Sequence, residues 1–246
     1  MEEEYIDRTP EYEEGKVPAN PIPRSMVKVF AWRLEEMSKK YPERNLMLFK
    51  LGIKTGYRMQ DLVDLRVGDV RIAISRGYFE IQEKKQYNRY LTFLRDNPTD
   101  SKRPPRKRRL FIYKNLIKDL EEYMDNYLKN PKNSDFMFPS TGDHGYITAK
   151  SYSRILRKVG MSLGLEHISG HSLRKTYIRK VFDDSGKSYE VARDDLGHSD
   201  IEITRRYLNE STEVKKKNSK KVDEFFDFWF FLKIYMLQNI GGRAMQ

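Results

Sequence analysis

Four short stretches of this chain carry residues suited to the chemistry of a phosphodiester. Arg58 comes first, then His171 three residues before Arg174, then Gly197-His198-Ser199, and finally Arg205-Arg206-Tyr207, with Tyr207 nine residues after His198. A lone His-x-x-Arg is noise, but the ordered set is much rarer. A phosphate under attack gathers negative charge, so preorganised cations must surround it. Arginine suits that task because its planar fork binds two nonbridging oxygens and stays charged. A tyrosine can take the phosphate covalently and store the bond for rejoining. Its phenol normally titrates near pH 10, so nearby cations that favour phenolate belong to the mechanism. A Lys or His then protonates the departing sugar oxygen. On this reading Arg58 and Arg174 are the clamps, His171 handles a proton, His198 donates a hydrogen bond and Tyr207 is the nucleophile.

The elements that must position these groups follow from periodicity and punctuation. Residues 1–23 are acidic and hold four prolines, so they read as an extended, poorly ordered leader. Apolar positions at three and four predict a helix over 24–40 and a second over 43–55, ended by Gly56. A short helix anchored by Leu62 and Leu65 leaves Arg58 at its mouth. Tyr78, Phe79 and Ile81 predict a strand, Tyr90, Leu91 and Phe93 a second, and Leu110, Phe111 and Ile112 a third. Arg103-Pro104-Pro105 marks a loop. Leu116 to Leu128 line one face of a helix over 113–128, and Thr148 caps another that Gly164 closes. Helices over 172–183 and 188–196, and one started by Asp200, complete the pattern. Phe225 to Leu237 is apolar on nearly all sides and needs burial, in its own domain or on another protomer.

Composition narrows the classes. The chain has 246 residues, no cysteine and a net charge of +11. Disulfides, thiolate metal sites and a cysteine nucleophile are excluded, and a reducing cytoplasm fits. No run reaches the length of a membrane span, so no membrane is expected. Residues 1–22 hold seven acids against two bases, which leaves the remainder more basic than the total suggests. Such a body reads as a binder of polyanions, most often nucleic acid. Six of the eight residues 102–109 are Lys or Arg. A nuclear-localisation signal is one reading of that block; a hairpin that contacts phosphates is favoured in a basic chain. Arg103, Arg106, Lys107 and Arg108, with Lys175, are the expected DNA-backbone contacts. His144, His167, His171 and His198 show no helical ligand pair, so no metal is expected.

Thr55-Gly56-Tyr57-Arg58 with Asp61 and Leu62, then His171-Ser172-Leu173-Arg174-Lys175-Thr176, Leu196-Gly197-His198-Ser199 and Thr204-Arg205-Arg206-Tyr207 together resemble the tyrosine recombinases of the phage-integrase family. The resemblance implies an α+β, mainly helical catalytic domain with a small antiparallel β-sheet on one side, here over residues 24–212. A Lys-rich linker and apolar tail would follow at 213–246. It implies site-specific cleavage and rejoining of double-stranded DNA through a 3′-phosphotyrosine on Tyr207, with no cofactor, by a homo-oligomer (dimer or tetramer) on DNA. The family's catalytic lysine sits in a β-hairpin. Ile81-Gln82-Glu83-Lys84-Lys85 resembles the form that selects Lys85, and Ser101-Lys102-Arg103 with 107–112 the form that selects Lys102. Both stay open, with Lys85 favoured. The amino-terminal DNA-binding domain of many members has no counterpart in the first 23 residues, as expected of a single-domain member or a fragment. A catalytically inactive DNA-binding accessory protein and a type IB topoisomerase are the competing readings.

Overall fold

The computed structural model describes residues 17–197 and 201–208. The chain divides into two compact units between Thr204 and Arg205, and all elements through the ninth helix belong to the first. A 3-10 turn, Arg24–Met26, leads into α1 (Val27–Met37), followed by α2 (Pro42–Thr55), α3 (Met59–Leu62) and α4 (Val67–Arg76). Strand β1 (Tyr78–Ile81), helix α5 (Lys84–Asp96) and strand β2 (Arg108–Phe111) come next. The remaining helices are α6 (Lys114–Asn126), α7 (Ala149–Ser162), α8 (Gly170–Asp184), α9 (Tyr189–Leu196) and α10 (Ile201–Leu208). This is a mainly helical α+β fold with one small antiparallel sheet.

Helix α2 is the hub. Pro42 opens it at a position where a missing N–H costs nothing. Its buried residues include Asn45, Met47, Leu48, Phe49, Leu51 and Thr55, which cover most of its circumference. It therefore packs on α1, α6 and α8 and contacts α3. Phe49 stacks on Phe30 of α1 with ring centroids 5.3 Å apart. Gly56 ends α2 in the left-handed region at φ +60, and a Cβ there would lie 2.2 Å from Cδ1 of Tyr177 on α8. Only glycine satisfies both conditions, and the chain reverses there to deliver Arg58 two residues later.

The sheet differs from the expected three strands. Strands β1 and β2 pair directly, in the register Tyr78↔Phe111, Phe79↔Leu110, Glu80↔Arg109 and Ile81↔Arg108. Tyr90, Leu91 and Phe93, expected to form a strand, lie in α5. The physical reason is spacing: Tyr87, Tyr90, Leu91 and Leu94 recur at three and four rather than two. None of the residues of α5 is buried. Helix α4 has no counterpart among the expected elements. It is started by Asp69, whose Oδ2 accepts from the Arg66 amide at 2.9 Å.

Other boundaries follow local signals closely. Thr148 Oγ1 accepts from the Ser151 amide at 3.1 Å, which caps α7, and Ser188 Oγ accepts from the Val191 amide at 3.2 Å, which caps α9. Residues 17–23, grouped with a loose leader by composition, are extended but tied down. Ile22 is buried, its amide donates to Thr176 Oγ1 at 2.8 Å, and the Asn20 amide donates to the His167 carbonyl at 3.1 Å. The expectations for residues 1–16 and for the apolar stretch 225–237 lie outside the described residues. Among the described residues no helix is long and apolar enough to cross a membrane.

Candidate active site

Helix α8 places two of the expected groups. Ser169 caps it: Ser169 Oγ accepts from the His171 amide at 3.2 Å, and the Ser169 amide donates to Ser172 Oγ at 3.0 Å. His171 thus sits in the first turn. Arg174 lies four residues before Ile178 and eight before Phe182, on the stripe that faces the core, and is fully buried at 0% exposure.

A buried guanidinium must find acceptors and a counter-charge. Arg174 Nη1 donates to the Gly56 carbonyl at 2.7 Å and to Glu83 Oε1 at 2.7 Å, and Nη2 donates to the Leu196 carbonyl at 3.3 Å. One side chain thereby joins the ends of α2, β1 and α9. Arg58, at the mouth of α3, donates from Nη1 to the other oxygen of the same carboxylate, Glu83 Oε2. Arg58 keeps 15% of its side chain exposed, against 2% for Glu83. The two arginines, far apart in the chain, converge on one acid.

The imidazole of His171 feels this cluster. Its pKa is pushed down to about 4, first by desolvation and then by the cations Arg174, Lys175, Arg58 and Lys85. The residue is exposed to solvent; with its pKa so lowered the ring carries no charge at neutral pH and can donate or accept a hydrogen bond. Asp61, three residues after Arg58, is pushed up, first by burial, with Glu83 adding to the effect. Its Oδ1 accepts from the Lys84 amide at 3.0 Å.

Lys85 is exposed in the first turn of α5 and is one of the cations acting on His171. Its neighbour Lys84 is committed elsewhere, to Asp64 and, at 3.0 Å, to the Gln60 carbonyl. Lys102 lies over the ring of Phe93, 4.2 Å from its centroid. Phe93 is ten residues beyond Glu83 along α5, roughly 15 Å at a helical rise. Lys85 thus acts on the same imidazole as Arg58 and Arg174, whereas Lys102 is engaged by Phe93.

Of the expected DNA-backbone contacts, Arg103, Arg106 and Lys107 are exposed, and Lys175 is half-buried. Arg108 corrects the expectation: it is buried at 7% exposure. Its Nε donates to the Asp195 carbonyl at 2.7 Å and its Nη2 to the Thr55 carbonyl at 2.8 Å, and its guanidinium lies over Tyr57, 4.5 Å from the centroid. The reason is strand parity, which places Arg108 on the face of Leu110 rather than with the exposed Arg109. Tyr57, whose hydroxyl donates to the Arg108 carbonyl at 2.7 Å, is pushed well up by burial.

Glu83 is not among the functional groups expected from the sequence. Phe79, Ile81 and Glu83 share strand parity, and an acid continuing a buried parity needs a cationic partner; that signal was present. His198 lies outside the described residues. The backbone of Tyr207 belongs to α10, but its side chain also lies outside them. Among the described residues no three His, Asp or Glu side chains gather as a metal-holding group.

Comparison with known proteins places the chain in a family. The profile of the phage integrase family covers residues 31–213. Tyrosine recombinase XerD of Rickettsia bellii is 32% identical over 119 residues, which is 46% of this chain and 39% of that protein. The probable integrase/recombinase YoeC of Bacillus subtilis is 28% identical over 166 residues, 68% of this chain and 77% of that one. In fold, the chain is similar to the XerA recombinase, with TM-score 0.56 at 18% identity, covering 84% of this chain and 66% of XerA. It is also similar to the XerH site-specific recombinase bound to a palindromic difH substrate, with TM-score 0.59 at 17% identity, covering 84% of this chain and 53% of XerH.

Proposed function

Because this chain belongs to the phage integrase family, we propose that it is a site-specific DNA recombinase that cleaves and rejoins strands through a 3′-phosphotyrosine on Tyr207. The observation that carries the reading is the convergence of Arg58 and Arg174, with a neutral His171 in the field of the same cations. Two guanidiniums against one carboxylate leave positive charge over for a scissile phosphate. In the proposed reaction Tyr207 passes its phenolic proton to the neutral His171 and attacks the phosphorus, Arg58 and, once DNA binding uncovers it, Arg174 hold the nonbridging oxygens, and the 5′ oxygen leaves with a proton from Lys85. His198 assists by hydrogen bonding. Rejoining reverses these steps, with the 5′ hydroxyl displacing the tyrosine.

Double-stranded DNA is the proposed substrate, supported by the net charge of +11 and by the likeness to XerH. The catalytic domain is assigned to 24–212, and the apolar part of the tail at 213–246 to docking in its own domain or on a neighbouring protomer of a homo-oligomer on DNA. A chain without cysteine fits action in the cytoplasm. The test is covalent trapping. Wild type and Tyr207→Phe are incubated with a pool of nicked duplexes covering the DNA that flanks the coding region, and denaturation-resistant adducts are isolated and sequenced. Wild type is expected to trap a defined site and Tyr207→Phe none; equal adducts from both exclude Tyr207 as the nucleophile.

A further inference from the structure

We propose that Glu83 is the positioning residue of the phosphate clamp: its two carboxylate oxygens, one to each arginine, set the spacing of Arg58 and Arg174. The inference rests on the reading that these arginines hold the scissile phosphate.

Glu83 stands at the junction of β1 and α5, in the place of an N-cap, yet its side chain does not cap its own helix. It turns inward and is 2% exposed. Without it, a fully buried Arg174 and a largely buried Arg58 would face each other across a site of low polarity, and like charges so placed repel. One carboxylate relieves that repulsion without cancelling the positive charge. The remaining N–H groups of Arg58 stay available on its exposed side.

The same junction bears on Lys85. Helix α5 buries none of its residues, so packing does not hold it. Its amino-terminal end is held by polar contacts: Glu83 to both arginines, the Lys84 amide to Asp61, Lys84 Nζ to Asp64, and Gln86 Nε2 to the Gly197 carbonyl at 3.2 Å. Lys85 follows Glu83 by two residues, so fixing the carboxylate on the arginines also fixes where that lysine starts. Gly197 immediately precedes His198 in sequence, so the tether from Gln86 reaches the next motif as well. Glu83 is thus the point where the clamp and the proposed proton donor are registered to each other.

Two variants separate geometry from charge. Glu83→Gln keeps the shape and removes the charge; Glu83→Asp keeps the charge and draws it back by one methylene, so that it no longer spans both guanidiniums. The full chain and both variants are assayed for single-turnover adduct formation across a range of concentrations of the nicked duplex that wild type traps, with a thermal melt alongside. Both variants are expected to form adduct roughly 100-fold more slowly at saturating DNA, the scale of a 1 Å misplacement. Half-saturating DNA concentrations should stay within about threefold of wild type, because uniform binding is not what is lost. A wild-type rate from Glu83→Asp shows that charge alone suffices and overturns the positioning role; a wild-type rate from Glu83→Gln overturns it too. So does weakened half-saturation at an unchanged maximal rate, or failure of both variants to fold. Absence of adduct from wild type refutes the recombinase reading itself, and the inference with it.

Discussion

Replacing Gly56 by alanine tests how the chain turns from α2 into the site. The residue sits at φ +60, and its added Cβ would approach Tyr177 Cδ1 to 2.2 Å. The left-handed backbone alone costs an L-residue about 1 kcal/mol. Displacing a packed ring adds overpacking of about 1–3 kcal/mol, so the total is about 2–4 kcal/mol. Gly77 provides the control, since it has φ +74 and nothing within 4 Å of the added Cβ; Gly77→Ala should cost only the backbone term, about 1 kcal/mol. For a chain of this size each kcal/mol moves the melting temperature by roughly 2–4 °C, so Gly56→Ala should melt roughly 5–15 °C below wild type and Gly77→Ala roughly 2–4 °C below. The assay is thermal unfolding followed by circular dichroism at one scan rate. Because the Gly56 carbonyl accepts from Arg174 at 2.7 Å, adduct formation should fall with Gly56→Ala and not with Gly77→Ala. The backbone term is common to both variants, so if Gly56→Ala melts at or above the temperature of Gly77→Ala, the close approach to Tyr177 is refuted.

The exposed and buried arginines of the basic block should separate in a salt titration. Arg106→Ala should lower the slope of log affinity against log salt by about 0.9, the release expected for one phosphate contact. Arg108→Ala should leave that slope unchanged while destabilising the fold by about 1–3 kcal/mol, the cost of leaving the Thr55 and Asp195 carbonyls without their donor; an equal slope change from both contradicts the burial of Arg108. For the lysines, Lys85→Ala should slow adduct formation by roughly 100-fold or more and Lys102→Ala by less than about tenfold. A substrate with sulfur as the bridging 5′ atom, which leaves without a proton, should restore Lys85→Ala; the reverse ranking assigns the role to Lys102. His171 should titrate with a midpoint near 4 rather than 6.5 when its ring protons are followed by NMR. With the folded pKa below the unfolded one, the unfolded chain binds the proton first, so His171 draws stability down as pH falls from 6.5 towards 4 and has no such effect at pH 7. A midpoint at 6.5 removes the cation field from the account.

Much of this molecule is written locally. Helices α1, α2, α6, α7, α8 and α9 are legible because a buried stripe repeats every three or four residues and because Thr148, Ser188 and Gly56 mark ends by their own hydrogen bonding and dihedral freedom. The reaction class is legible because arginine, histidine and tyrosine at these spacings suit one kind of chemistry, and the family profile agrees with it. Tertiary structure decided the rest. That β2 pairs directly with β1 across residues 84–96 is a long-range choice, invisible to a window of residues whose aromatic, β-prone composition masks its three-and-four spacing. That Arg108 is structural depended on strand parity and on what lies beneath the sheet. Above all, no spacing along the chain says that Arg58 and Arg174 share Glu83. Sequence periodicity specifies which face a side chain occupies, whereas the partner it meets there is set by how α8 crosses α2 and where β1 ends, and burial of a charge then forces the pairing.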